Sequence, residues 1–84
     1  MSDKVRDIYV VITADENKSI YTMDGYRDLK KARVRGKQIA EDIKSKGYTI
    51  NVYLSSLQYY LYKNTYVDIE FITDDSELIY RASI

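Results

Sequence analysis

Two of the side chains that most often carry out chemistry are missing from this chain. There is no histidine, the commonest general base and metal ligand, and no cysteine for disulfides, thiolate metal sites or nucleophilic thiols. The serines therefore have no imidazole to activate them. A carboxylate pair or a lysine could act in their place, but no spacing singles one out. Asp15, Asn17 and Ser19 resemble the opening of a calcium loop, yet Ile20 stands where the sharp-turn glycine belongs and Tyr26 where the bidentate glutamate belongs. Asp74, Asp75 and Glu77 read better as a turn with caps than as a metal cradle. Gly25, Gly36 and Gly47 each stand alone, so there is no glycine-rich phosphate loop. The expectation from this inventory is a chain that is not an enzyme, with no catalytic residues, no cofactor and no metal.

Binding chemistry is better represented. Ten tyrosines occur against one phenylalanine; AT-rich codon usage accounts for part of that bias, and tyrosine also suits half-buried sheet faces and binding surfaces. Charge is segregated. Residues 25–46 hold eight basic and three acidic side chains, whereas residues 64–84 hold five acidic and one basic. A net charge of zero thus hides a dipolar molecule. Arg27, Lys30, Lys31, Arg33, Arg35 and Lys37 fall close together on a helical segment. They make an ordinary solvated face, a nucleic-acid-binding surface for phosphate backbones, or a docking face for an acidic protein partner. No helix-turn-helix, zinc-finger or RNA-recognition signature accompanies them.

The elements that must position these groups can be read in outline. Residues 5–14 alternate as a strand, with Ile8, Val10 and Ile12 on the inner face and Tyr9 and Val11 on the outer. Asp15 to Lys18 is a turn, and Ser19 to Met23 pairs back as a hairpin. Asp24-Gly25 breaks the pattern, with Asp24 as N-cap of a helix from Tyr26 to Lys46. Leu29, Ala32, Gly36, Ile39, Ala40 and Ile43 form its apolar stripe. Gly36 on that stripe implies that the helix crosses the sheet closely, and Gly47 supplies the left-handed stop.

A third strand follows over Tyr48 to Leu54. Residues 55–64 fit a short helix capped by Ser55 or Ser56, or a continuing strand; the helical turn is preferred. Leu57, Tyr59, Tyr60, Leu61 and Tyr62 are read as completing the core, with a dimerisation patch as the alternative. Thr65 to Thr73 is a fourth strand, Asp74 to Ser76 a turn, and Leu78 to Ile84 a last strand or a terminal helix. The fold class is α+β: one domain over 1–84, with a four- to five-stranded, mainly antiparallel sheet in β-β-α-β-β-β order and one long helix on one face.

One helix covers only one face of a sheet. The other face should carry Tyr9, Val11, Tyr53, Tyr66, Asp68 and Glu70. Of these, Tyr9, Tyr53, Tyr66, Asp68 and Glu70 form the candidate protein-binding surface. The functional expectation is a small interaction module that binds, and modulates or inhibits, a protein partner. Its brevity suits an accessory protein of the phage type. The alternative is nucleic-acid binding through the basic helix, and self-association of the acidic and basic faces is a third route. The missing cysteines and the absence of a leader or a long apolar run point to a cytoplasmic protein that does not enter a membrane.

Overall fold

The computed structural model describes residues 5–60 and 71–82. They form four strands and one helix: β1 (Val5–Ala14), β2 (Ile20–Tyr26), α1 (Leu29–Lys46), β3 (Asn51–Tyr60) and β4 (Glu77–Tyr80). The sheet is antiparallel throughout, in the order β2-β1-β3-β4, and α1 packs on one face. This is the expected α+β class.

β1 is the spine. It pairs with β2 on one side and along its whole length with β3 on the other, from Val5↔Tyr60 to Ala14↔Asn51. Val10 through Ala14 are all buried, and Val11 and Ile12 have no exposed surface. A strand buried on both faces needs two covers. Val11 packs under α1 with Ala32, Ala40, Ile43, Val52 and Leu54. Val10, Ile12 and Ala14 face the opposite way, against Tyr53, Leu57, Phe71 and Ile72. Each large side chain so buried contributes about 1.5–3 kcal/mol.

This arrangement corrects the assignment of faces. Val11 and Tyr9, expected on the open face, lie on the helix-covered one, and Ile8, Val10 and Ile12 lie opposite. Nor is the second face bare at its centre, since Phe71 and Ile72 close over β1. The run Tyr9-Val10-Val11-Ile12 is continuous rather than alternating, which is the pattern of a strand covered on both sides.

α1 starts later than its stripe suggests. Asp24 and Gly25 do not break β2; they pair with Val11 and Val10. An edge strand tolerates both residues because its outer side faces solvent. The N-cap is Asp28, in extended conformation, whose Oδ1 accepts from the amides of Lys30 at 2.8 Å and Lys31 at 3.4 Å. Lys44 and Lys46 occupy the last turn, and Gly47 ends the helix at φ 68°. Gly36 lies close against the sheet: a Cβ placed there would run into Ile79 Cδ1.

β3 also departs from expectation. Residues 55–60 continue the strand instead of turning into a helix, because β1 offers backbone partners along that whole length. Ser55 does not cap; its hydroxyl shares a 2.6 Å hydrogen bond with that of Ser76, whose Oγ also accepts from the Thr73 amide. The turn over 73–76 is thereby pinned to β3, and Leu57 joins the second core cluster. Phe71 and Ile72, expected near the end of a strand, form a bend, and Thr73 is not in a strand. The expected strand over 65–70, the preferred turn at 61–64, Leu61, Tyr62 and the last two residues lie outside the described residues.

Candidate functional site

A tyrosine that follows a turn is held at the rim of the fold, and two do so here. Asp15 Oδ1 accepts from the amides of Asn17 and Ser19, both at 2.9 Å. The Lys18 amide donates to the Asp15 carbonyl and the Asp15 amide to the Ser19 carbonyl, both at 3.0 Å. Lys18 takes up the left-handed conformation at φ 65° that closes the turn. Tyr21 follows it, 61% exposed. At the helix end, the Tyr48 amide donates to the Ile43 carbonyl at 3.1 Å around Gly47, leaving the Tyr48 ring 52% exposed.

The Ala14↔Asn51 pairing sets these two turns side by side. Between them opens a cleft of about 690 Å³, walled by Tyr21, Tyr48, Ile50 and half-buried Tyr53. Asn51 lies buried beneath it; its Oδ1 accepts from the Ala82 amide at 2.9 Å, which fastens the chain after β4 along the cleft. Arg81 and Lys18 bring positive charge to the opening, Asp15 and Glu16 negative charge.

Tyrosine rings offer broad apolar faces with a hydroxyl at the tip, and the rim charges of both signs suit salt-bridge partners. The volume lies in the usual range of ligand pockets, and the cleft is partly open to solvent. Among the described residues, no group of three or more acidic side chains comes together as a metal site, and Glu77 is engaged with Arg33.

The candidate protein-binding set does not form one surface. Tyr9 packs under the helix, whereas Tyr53 lies on the opposite face. Tyr66, Asp68 and Glu70 lie outside the described residues. Of its two described members, Tyr53 lines the cleft and Tyr9 does not. Tyr21, Tyr48, Lys18 and Arg81 were missed. The turn and Gly47 announced rim positions for their neighbours, but nothing local shows that the two turns are adjacent.

The basic helix forms a second surface. Arg27, Lys30, Lys31, Arg35 and Lys37 are exposed. Arg33 leaves the set: its Nη1 lies 3.1 Å from Glu77 Oε2, tying α1 to β4. On the flank of α1 towards β2 is a shallow recess of about 360 Å³, lined by Tyr26, Lys31, Val34, Arg35 and Gln38 among others. No helix among the described residues is long and apolar enough to cross a membrane.

Comparison with protein-family profiles, with characterised proteins and with solved structures gives no match.

Proposed function

We propose that this protein is a non-catalytic interaction module that binds a protein partner through the tyrosine cleft and so modulates or inhibits it. The observation that carries this reading is the convergence of Tyr21, Tyr48 and Tyr53 on one open cleft rimmed by charges of both signs. Exposed tyrosines give large contact area at low entropic cost, which is why they concentrate binding energy at interfaces. The rim charges would steer the encounter and set orientation more than affinity.

The test is affinity capture from the native host lysate with and without nuclease, using the wild type and a Tyr48→Ala/Arg81→Ala variant. Both replaced side chains are exposed, so folding should be unaffected. The expected result is one dominant protein that survives nuclease and is lost with the variant. Capture that is identical for both proteins would sink the cleft reading.

The basic helix supports a second reading, nucleic-acid binding. It rests on five exposed cations, Arg27, Lys30, Lys31, Arg35 and Lys37, along one helix and its approach. In that case capture collapses on nuclease treatment and persists in the cleft variant, and binding falls steeply with salt.

A further inference from the structure

Edge strands present a row of backbone donors and acceptors, and proteins usually blunt them with lysine, proline or cover. Among the described residues β2 is an edge, paired with β1 alone. Its seven residues contain no lysine, arginine or proline. All but Tyr26 are exposed, including the large apolar side chains Ile20, Tyr21 and Met23. Asp24 is its one charge. Asp24 shares the helix-covered side of the sheet with Tyr26, since their partners Val11 and Tyr9 pack there. The flank of α1 lining the recess beside Tyr26 carries Lys31 and Arg35, and neither makes an ion pair with Asp24 within the chain. One edge thus displays an acid on the strand and bases on the helix above it.

We propose that this edge pairs with the same edge of a second copy, β2 antiparallel to β2 and centred on Met23, joining two sheets into one of at least eight strands. The register follows from charge. Centring on Met23 sets Met23 against its own copy, Thr22 against Asp24, Tyr21 against Gly25 and Ile20 against Tyr26. Centring on Asp24 would set two carboxylates face to face, which is unfavourable. A two-fold axis normal to the sheet leaves both helices on the same side. The acid of each β2 then meets the basic helix flank of the other copy, and the contact is made twice, as an isologous interface requires. The pairing shares Tyr21 with the cleft, and it sets the two clefts at opposite ends of the dimer.

Sedimentation of the wild-type chain tests this directly. A dimer should form and weaken as salt rises, because the strand–helix contacts are ionic. The chain has no cysteine, so a single Met23→Cys forms its own probe. Opposed residues of antiparallel strands lie about 4.5–5.5 Å apart at Cα, within disulfide reach. Mild oxidation should therefore give a covalent dimer with Met23→Cys and not with Lys37→Cys. Arg35→Asp should weaken the dimer about tenfold or more, and the double swap D24R/R35D should restore it. A chain that stays monomeric at low salt up to about 1 mM overturns the proposal. So does a dimer in which Met23→Cys cross-links no faster than Lys37→Cys, since another surface would then be in contact.

Discussion

Gly36 sets how closely α1 lies on the sheet. Glycine inside a helix costs about 1 kcal/mol relative to alanine, so a helix interior keeps one only where a side chain would collide. The collision is with Ile79 Cδ1, and Val11 Cγ1 stands 3.7 Å from the same point. Gly36→Ala should therefore destabilise the fold by no more than about 1 kcal/mol, because Ile79 Cδ1 ends a flexible side chain that can swing aside and the gain in helix propensity offsets part of the overpacking. Ile79→Val removes the colliding methyl at a cost of about 0.5–1.5 kcal/mol. Combined with Gly36→Ala it should recover most of the loss, a coupling expected of touching residues. Urea denaturation of the two single variants and the double variant measures this. A Gly36→Ala protein as stable as the wild type would mean that the helix has room to spare. The need for a small residue was legible from the stripe Ala32, Gly36, Ala40. Its counterpart Ile79 was not, because the contact joins residues far apart in the chain.

Among the elements, α1 and the β1–β2 hairpin were legible and their junction was not. Asp24 and Asp28 are both good capping residues ahead of the same apolar stripe. What separates them is β1, whose Val10 and Val11 claim Gly25 and Asp24 as strand partners. Asp28→Ala should cost about 1 kcal/mol through the loss of the cap bonds to the Lys30 and Lys31 amides. Asp24→Ala, on an exposed strand position, should leave monomer stability within about 0.5 kcal/mol. Thermal melts at a protein concentration low enough to avoid association compare the two. Equal losses would remove the distinction between cap and strand residue. β3 makes the same point: Ser55 and Ser56 invite a helix start, and the ladder to β1 outweighs that local preference.

At the scale of the whole molecule, the charge segregation along the sequence is partly closed in space. The basic helix and the acidic C-terminal region meet at Arg33 and Glu77. The two side chains remain 43% and 47% exposed, so water and salt screen the pair. A double-mutant cycle on Arg33→Ala and Glu77→Ala should return a coupling below about 1 kcal/mol. It should shrink further at high ionic strength. A larger, salt-insensitive coupling would make this bridge the main tie between α1 and β4, in place of the packing of Ile79 beneath Gly36. The cleft is also a property of the whole molecule, assembled from the turn before β2, the helix stop and the chain after β4.

Period, turn chemistry and residue inventory act over a few residues, and they were enough to determine the α+β class, the hairpin, the amphipathic helix with its stop at Gly47, and the lack of histidine and cysteine chemistry. The tertiary structure decided which face of each strand meets the helix. Alternation separates two faces but carries no sign, and β1, apolar on both, gives none. It also decided that Tyr9 and Tyr53 lie on opposite sides, and that Tyr21, Tyr48 and Tyr53 share one cleft. Those outcomes depend on the antiparallel pairing of β1 with β3, a contact between segments far apart in the chain. Its energy comes from burying both faces of β1 at once, which no local stretch of sequence can register.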